Sequence, residues 1–414
     1  MNGITQSRVF LSVVLPFGLG YYISYLYRTV NVVIAGQLST DLSLSAANLG
    51  LITGVYFVVF ASFQTPLGLL LDRYGPRKIQ CCLLIFAVLG SIVFASTSNY
   101  FVLALARGLI GLGVSGCLMA ALKANANWFP SIRLPLVNGI TVAFGSLGAL
   151  SATIPINYIF EIAGWRMIFY LLAAITLLLL LITYFLVPKE IERNSEPRQT
   201  LRQQIADLKI IYKSSFFWKI SIVTFVHNSV YLSYQSLWMG PLLRDVAMFS
   251  SSDVAKAMFL FNVGMFVGVI GIGFLAERLQ KYDIKPIAIV CLGVAGSIGI
   301  QTCFIFDFFY SKRVLCFLFG FFGSSTLLVY SVLTQRFPQR LTGRVNTAQN
   351  MLTFVAAFIS QWLIGVIINY WPKLENLGYP SEAHITAFVV MIVIETLAFL
   401  YFVWPQSFYK SQVE

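Results

Sequence analysis

Long apolar stretches with almost no charged residues recur along the whole chain, and no other feature restricts its fold as strongly. A helix needs about 20 apolar residues to cross the hydrocarbon core of a membrane. Because the stretches are continuous rather than alternating, they exclude a transmembrane β-barrel. We therefore predict an all-α membrane protein with twelve transmembrane helices in two pseudo-symmetric six-helix bundles. Segments 1 to 12 are, in chain order, residues 10–36, 47–71, 79–97, 100–123, 136–160, 166–187, 217–241, 254–275, 286–306, 313–335, 345–370 and 384–405.

The composition excludes several other classes of protein. Hydrophobic residues make up 58% of the chain and charged residues 11%, whereas a soluble domain carries about 25% charged residues. A soluble globular protein, a disordered chain and a disulfide scaffold are thereby excluded. All six cysteines fall in apolar stretches without metal-ligand spacing, which indicates packing. We predict no metal site, no cofactor and no catalytic residues, because two histidines and one acid at membrane depth are too few for a membrane enzyme.

A polar stretch, residues 188–216, divides the chain into two parts of similar length. We predict an N-terminal six-helix bundle over residues 1–188, a cytoplasmic linker over 189–216 and a C-terminal six-helix bundle over 217–414. The first half and the second half below denote the parts before and after this linker.

Two short motifs recur in both halves at nearly the same offset. Residues 68–73 read Gly-Leu-Leu-Leu-Asp-Arg, and residues 273–278, 205 positions later, read Gly-Phe-Leu-Ala-Glu-Arg. Phe129-Pro130 corresponds in the same way to Phe337-Pro338, 208 positions later. These echoes indicate a duplicated six-helix unit. Repeated halves place a ligand site near the membrane midplane, at the interface between them.

Lysine and arginine are distributed unevenly between the two sides of the predicted membrane. If the N-terminus is inside, 20 of the 28 basic residues lie in inner loops and tails, and six lie in outer loops and helix ends. This asymmetry predicts that both termini are cytoplasmic. The net charge of +12 is therefore an orientation signal, not a sign of nucleic-acid binding. The apolar run from Phe10 to Ala35 is too long for a cleavable signal peptide. The absence of an Asn-x-Ser/Thr sequon fits a bacterial inner membrane, in which we expect a monomer surrounded by lipid.

Three further motifs have a recognisable spacing: Gly68-x-x-x-Asp72-Arg73-x-Gly75-x-Arg77-Lys78, Arg107 with Gly111, and Gly164-Trp165-Arg166. With them the sequence resembles the major facilitator superfamily over essentially its whole length. The resemblance implies transport by alternating access. It also implies that Asp72 and Arg73 belong to a charge network that closes the cytoplasmic side, and that Arg107 acts in coupling or gating. The predicted coupling or gating residues of this loop are therefore Asp72, Arg73 and Arg77. The alternatives are a plain positive-inside loop, whose basic residues anchor the chain at the anionic leaflet, and an Arg107 that snorkels outward.

Arg28 lies well inside segment 1, where an arginine costs about 2.5–3.5 kcal/mol on insertion scales. It shares a polar helix face with Tyr25 and Asn31. Of the 16 acids, all but Glu395 lie in loops or at segment ends, and the resemblance implies that segment 12, which contains Glu395, is peripheral. We therefore expect the substrate to supply the missing negative charge as a carboxylate or phosphate. The alternative is that Arg28 snorkels or donates to backbone carbonyls and hydroxyls.

Phosphate esters are the less favoured anions. The organophosphate exchangers of the family carry a second arginine in the helix that corresponds to segment 7. The matching positions here are Ser233 and Tyr234, and neither is basic. A single arginine suits a carboxylate better.

Segment 7 offers a polar stripe at i, i+3, i+7 and i+10 that we expect to face segment 1. Polar side chains in lipid-embedded helices face the interior, although each of them can also join helices by hydrogen bonds. The predicted substrate-binding residues are Arg28, Tyr25, Asn31, Tyr56, Asn228, Tyr231, Gln235, Trp238 and Asn350.

Coupling to protons requires a group that titrates. The candidates are Glu395, since burial raises the pKa of a carboxyl, and His227. Glu395 can instead face lipid or pack between helices, and His227 can be a neutral hydrogen-bonded side chain. Exchange or facilitated diffusion would need neither residue.

The sequence thus predicts a secondary transporter for a small carboxylate-bearing anion, working by uptake with proton coupling or by exchange. The alternative is an exporter, or a carrier of a zwitterionic nutrient such as an amino acid or betaine. The stretch Gly145-Ser-Leu-Gly148 lacks the Gly-Pro motif of drug exporters, which argues against that class.

Overall fold

A computed structural model describes residues 10–130, 133–188, 201–306, 311–338, 341–374 and 378–404. Within these residues every regular element is helical. Ten helices are long and apolar enough to cross a membrane. The protein is therefore a multi-pass helical membrane protein.

The first half consists of segments 1 to 6. Segment 1 begins with a π-helical turn and is divided at Val30. Gly75 and Gly164 have φ angles of 79° and 73°, a region that glycine adopts without strain. Gly75 ends the helix of segment 2, and Gly164 separates segment 5 from segment 6. The helices are Phe10–Val14, Leu15–Thr29, Asn31–Asp41, Ala46–Tyr74, Pro76–Ser96, Tyr100–Val114, Cys117–Trp128, Leu134–Ser151 and Ile154–Leu186.

The second half begins after a linker helix, Leu201–Lys213, which the sequence analysis did not predict. The rest of the predicted linker, residues 189–200, lies outside the described residues. Segment 7 contains a π-helical turn, Tyr234–Trp238, and segment 10 contains a 3₁₀ turn, Ser324–Leu327. The helices are Ser215–Ser233, Met239–Asp245, Ser251–Gln280, Pro286–Phe306, Lys312–Gly323, Leu328–Arg336, Thr342–Ile368 and Ser381–Val403.

Two of the twelve predicted segments lie outside the ten long apolar helices. Segment 5 contains a shorter apolar helix, Leu136–Ser151. Segment 7 is interrupted by its π-helical turn and contains several Ser residues together with Asn228 and Gln235. Both are helical over most of their length, so the difference from the prediction is one of continuity and apolarity.

The two halves pack against each other near one membrane surface. We call the surface at which segment 1 begins the near side, and the opposite surface the far side. Segments 2 and 11 meet at the far side, where Gln361 Nε2 donates to Thr53 Oγ1 at 3.2 Å. Gly240 of segment 7 lies so close to segment 1 that a Cβ there would collide with the carbonyl oxygen of Val32. These contacts hold the far-side ends of the halves together.

The loop before segment 12 covers the same far-side contact. Lys373 Nζ donates to the carbonyl of Leu44 at 2.6 Å, and the amide of Ala46 donates to the Tyr379 hydroxyl at 3.0 Å. Burial lowers the pKa of Lys373 and raises the pKa of Tyr379. The Tyr379 phenol is therefore neutral, and its oxygen accepts a hydrogen bond from the first amide of the segment 2 helix.

Candidate functional site

Arg28 lies in the last turn of the helix Leu15–Thr29, two residues before the break at Val30. Its side chain is 6% exposed. Among the described residues no carboxylate forms an ion pair with it. Its guanidinium carbon lies 4.5 Å from the ring centroid of Tyr25, 5.5 Å from that of Phe60 and 5.1 Å from that of Phe354. Its Nε atom has no hydrogen-bond partner. The charge is thus held by aromatic rings from both halves.

Asn31 follows Arg28 across the helix break and is 1% exposed. Neither polar atom of its side chain has a hydrogen-bond partner. A buried amide without partners is costly. Asn31 therefore offers a donor and an acceptor near the guanidinium, one helical turn further along segment 1.

Tyr56 of segment 2 lies between two buried arginines. It interacts electrostatically with Arg28, and the guanidinium carbon of Arg107 lies 5.4 Å from its ring centroid. Arg107 is 1% exposed and donates to the carbonyl oxygen of Tyr27 at 3.5 Å. The structure therefore rules out the outward-snorkelling alternative for Arg107, because stacking on Tyr56 and Phe94 keeps it inside the first half.

The four residues of the predicted stripe on segment 7 have different partners. Asn228 accepts a hydrogen bond from Thr326 at 2.7 Å. Tyr231 is 6% exposed, its hydroxyl has no partner, and it interacts electrostatically with Tyr25. Of these two, Tyr231 is the one that approaches the Arg28 site.

The other two members of the stripe are engaged elsewhere. Gln235 donates to Asn262 Oδ1 at 3.0 Å, and Trp238 Nε1 donates to the carbonyl of Gln361 at 3.0 Å. The reason is the π-helical turn, which accommodates one more residue than an α-helical turn and rotates everything after Tyr234. The i+7 and i+10 spacing that predicted one stripe holds only for a regular α-helix.

Segment 11 contributes Asn350 and Phe354 to the site. Asn350 Oδ1 accepts from the Tyr330 hydroxyl at 3.3 Å, and Tyr330 interacts electrostatically with Tyr25 and Arg28. The sequence analysis missed Phe60, Phe354 and Tyr330. Phe60 lies one helical turn after Tyr56, Phe354 lies one helical turn after Asn350, and Tyr330 lies within segment 10. These positions are the available signal, but aromatic residues are common on every face of such helices.

Glu395 and His227 lie together inside the second half. His227 Nδ1 is 2.6 Å from Glu395 Oε1, and Gln301 Nε2 donates to Glu395 Oε2 at 2.8 Å. The side chains of His227 and Glu395 are 0% and 1% exposed. The alternative in which Glu395 faces lipid is therefore wrong, because two polar partners hold it in the interior. Gln301 was missed, although a lone glutamine in segment 9 was a usable signal.

The predicted gating residues lie at the near side. Asp72 pairs with Lys123 of segment 4 at 2.7 Å, and both side chains are exposed. The Arg73 guanidinium lies 5.2 Å from the ring centroid of Tyr74, and Arg77 donates to the carbonyl oxygen of Tyr184. All these partners belong to the first half. Within the described parts of the chain, these contacts of Asp72 and Arg73 do not reach the second half.

No group of three or more His, Cys, Asp or Glu side chains that could hold a metal ion occurs among the described residues. The site at the junction of the halves thus consists of a guanidinium, aromatic rings, phenol hydroxyls and amides. Such a set can bind an anion and stack against its apolar parts.

Comparisons with known proteins agree with this architecture. The family model described as Major Facilitator Superfamily matches residues 17–361. The chain is 25% identical over 303 residues to the probable sulfoacetate transporter of Cupriavidus necator, covering 68% of this chain and 69% of the relative. It is 23% identical to the galacturonate transporter of Dickeya chrysanthemi, covering 70% and 89% of the two chains, and 23% identical to the hexuronate transporter of Bacillus subtilis, covering 95% of each.

Solved structures share the fold at low sequence identity. A bacterial homologue of the human lysosomal transporter Spinster, in an inward-facing and unoccupied conformation, matches with a TM-score of 0.77 at 17% identity, covering 97% of each chain. The D-xylose–proton symporter matches with a TM-score of 0.72 at 15% identity, covering 95% of this chain and 97% of that one. The family model spans most of the sequence, and the chain belongs to the Major Facilitator Superfamily of transporters, not to a class of enzymes.

Proposed function

We propose that this protein is a secondary transporter that takes up a small organic anion, with a carboxylate as the recognised group, by alternating access. It has twelve membrane-crossing helices, since segments 5 and 7 cross the membrane in addition to the ten long apolar helices. Residues 1–188 and 217–414 form two six-helix bundles, joined by the linker 189–216. The repeated motifs in the two halves support this division.

The observation that carries the proposal is the buried, acid-free environment of Arg28. A guanidinium at 6% exposure retains its charge, and a charge in an apolar interior calls for a counter-ion. Phe60 of the first half and Phe354 of the second half both lie against it. A carboxylate bound there would make two parallel hydrogen bonds and would contact both halves at once.

The relatives support an anion of this class. Three of them are named as transporters of sulfoacetate, galacturonate or hexuronate, and these molecules are small organic acids. We place this chain with them because Arg28 and Asn31 offer donors for an acidic group, and the rings of Tyr25, Phe60 and Phe354 offer an apolar surface for the remainder.

A zwitterion is the less favoured substrate. Its ammonium group would need an acid or a free aromatic surface beside the carboxylate site. Among the described residues, the buried carboxyl in the second half is Glu395, and His227 and Gln301 already bind it. The rings of Tyr25, Phe60 and Phe354 already face a cation.

The asymmetry of basic residues supports a near side that is cytoplasmic, in a bacterial inner membrane. The halves contact each other at the far side, through Gly240 and Gln361 among others, while Asp72 and Lys123 are exposed at the near side. On this assignment the conformation is inward-facing. Energy for uptake comes either from a proton or from an exchanged anion.

The proposal is tested by ligand-induced thermal shift of the purified protein, followed by uptake into proteoliposomes. The probes are D-galacturonate, D-glucuronate, sulfoacetate, glycine betaine and a set of amino acids. We expect one or more acids to stabilise the wild type. We also expect Arg28→Ala to weaken binding by at least about tenfold, because a hydrogen bond to a charged group contributes about 1.5–3 kcal/mol.

Two variants make the result specific. Arg28→Lys retains the charge but loses the bidentate geometry, so we expect intermediate binding. Arg166→Ala removes an arginine that donates to Ser98 at the far side, and it serves as the matched control. Binding of a carboxylate by Arg28→Ala at the wild-type affinity would refute the assignment, and stabilisation by betaine alone would favour the zwitterion carrier.

A further inference from the structure

A hydrogen-bonded imidazole and carboxyl pair lies inside the second half, apart from Arg28. His227 Nδ1 and Glu395 Oε1 are 2.6 Å apart, and His227 Nε2 is 3.2 Å from the carbonyl oxygen of Gly323. Gln301 donates to the other carboxyl oxygen. Segments 7, 9, 10 and 12 therefore meet at this pair.

The hydrogen-bond partners determine how many protons the pair holds. A carbonyl oxygen only accepts, so Nε2 of His227 carries a hydrogen and donates to Gly323. A proton must also lie between Nδ1 and Oε1, because a bare nitrogen lone pair facing a carboxylate at 2.6 Å would be repulsive. That proton belongs either to Glu395 or to an imidazolium. In both cases the pair is electrically neutral as a whole and holds one removable proton.

Removal of this proton cannot leave both hydrogen bonds of His227 intact. A neutral imidazole has one N–H, which can serve either Gly323 or Glu395. The other nitrogen would then point its lone pair at an oxygen. The deprotonated pair also carries a net negative charge at 0% and 1% exposure, which is unfavourable in an apolar interior. Proton loss therefore breaks at least one of the hydrogen bonds by which His227 joins segments 7, 10 and 12.

The pair is connected to the broken part of segment 10. Gly323 directly precedes the 3₁₀ turn Ser324–Leu327. Thr326 in that turn donates to Asn228, the residue next to His227. A change in the bond between His227 and Gly323 thus acts on the one place in segment 10 where the α-helix is interrupted.

The pair is also connected to the Arg28 site. The ring of Tyr231 stacks on the imidazole of His227, with centroids 6.4 Å apart and planes inclined by 20°. Tyr231 interacts electrostatically with Tyr25, whose ring lies under the Arg28 guanidinium. The hydroxyl of Tyr231 has no hydrogen-bond partner and is available to a ligand.

Other titratable groups lie on the segments that surround the pair. Tyr231 is the titratable side chain stacked on the pair, and the thiols of Cys303 and Cys316 lie on segments 9 and 10. The charged side chains of the described parts of these segments and of segment 11 lie near helix ends: Lys219, Arg244, Asp245, Lys312, Arg313, Arg336, Arg344 and Glu382. The second buried histidine, His384, lies at the start of segment 12, where its Nε2 is 2.8 Å from Asp245 Oδ2. Among the described residues of this interior, His227 and Glu395 are the two titratable side chains that are hydrogen-bonded to each other.

We propose that the His227–Glu395 pair is a proton-binding site and that the proton it holds is the coupling ion of the transport cycle. The coupling role rests on the proposed function, whereas proton binding does not. In the inward-facing conformation the pair is closed to solvent, so loading and release require the alternate conformation or a local opening of segment 10. One proton accompanies each bound carboxylate, and a monoanion is then carried without net charge.

Glu395→Gln separates proton binding from hydrogen bonding. The Gln amide can donate to His227 Nδ1, and its carbonyl can accept from Gln301, while Nε2 continues to donate to Gly323. The variant therefore reproduces the proton-bound arrangement without a removable proton. Glu382→Gln removes an exposed acid from the first turn of the same helix and is the matched control.

The transport test uses proteoliposomes and labelled D-galacturonate or sulfoacetate, whichever binds. An inward gradient of one pH unit can drive about tenfold accumulation if one proton is coupled. We expect this accumulation in the wild type and in Glu382→Gln. We expect Glu395→Gln to exchange internal for external substrate at a rate close to wild type, with no acid-driven accumulation. Accumulation by Glu395→Gln equal to that of the wild type would overturn the proposal, as would a wild type that exchanges substrate but ignores the pH gradient.

A second measurement does not depend on the substrate. The folded wild type holds the extra proton, so its melting temperature should decrease as rising pH removes it. Glu395→Gln should lack this decrease, and Glu382→Gln should retain it. Coincident profiles for the wild type and Glu395→Gln would refute the proton site. Failure of the wild type to exchange any anion would instead refute the proposed function, and the melting profiles would still decide the proton site.

Discussion

At the scale of single residues, the site is unusual in its charge. Arg28 and Arg107 lie on either side of Tyr56, and both are almost fully buried without an acid among the described residues. The isolation of Arg28 was predictable, because the positions of the acids can be read from the sequence. Its aromatic surroundings were not. Phe60 and Phe354 contact Arg28 in the packed structure. Those contacts depend on which faces segments 2 and 11 turn toward segment 1, and the sequence does not specify these faces.

Tyr56→Phe tests whether the phenol helps Arg28 to bind its anion. The variant removes the hydroxyl and keeps the ring on which Arg107 stacks. We expect a folded protein that binds the anion about threefold to tenfold more weakly, the effect of losing one hydrogen bond of about 0.5–1.5 kcal/mol. Titration calorimetry measures it, with the exposed Tyr158→Phe as control. Unchanged affinity would assign Tyr56 to packing alone.

At the scale of elements, segment 7 was predictable from the sequence only in part. Its existence and its inward-facing polar character were predictable from composition. Its π-helical turn at Tyr234–Trp238 was not, because no proline or glycine within the turn signals it. The turn directs Gln235 and Trp238 into packing contacts and leaves Tyr231 facing the site. The same limitation applies to the division of segment 1 at Val30, which no adjacent proline or glycine marks.

Gly240→Ala tests the close approach of segments 7 and 1. A Cβ at this position would meet the carbonyl oxygen of Val32, so the far-side contact must open. We expect a loss of about 1–3 kcal/mol, typical of overpacking. Urea unfolding, together with labelling of a cysteine introduced near Thr53, would measure stability and far-side access. Gly299→Ala is the control, because open space surrounds Gly299 and alanine favours a helix. Equal stability of both variants would contradict a tight contact at Gly240.

At the scale of the whole molecule, one side of the interface between the halves is closed. The far side is held by Gly240, by Gln361 with Thr53, and by Tyr379 on the backbone of Ala46. The near side keeps Asp72 and Arg73 in contact with their own half. The repeated motifs predict a division into halves and a gating loop at the near side. The conformation was not predictable, because alternating access means that one sequence supports at least two arrangements.

Asp72→Asn tests the role of the near-side loop. The pair with Lys123 is exposed, and exposed pairs contribute about 0–1 kcal/mol, so we expect little change in the melting temperature. If Asp72 closes the near side in the alternate conformation, substrate exchange should fall severalfold. Asp283→Asn, in the near-side loop after segment 8, is the matched control. If Asp72→Asn exchanges substrate at the wild-type rate, Asp72 does not close the near side and the loop only orients the chain in the membrane.

The two arginines beside Tyr56 also determine how the empty protein will behave in solution. A positive charge that no acidic side chain of the described residues balances attracts small anions from the medium. If Arg28 binds the substrate as proposed, chloride, phosphate and acetate from a buffer will compete with the substrate for it. Apparent affinities for this carrier will depend on the choice of salt as much as on its concentration.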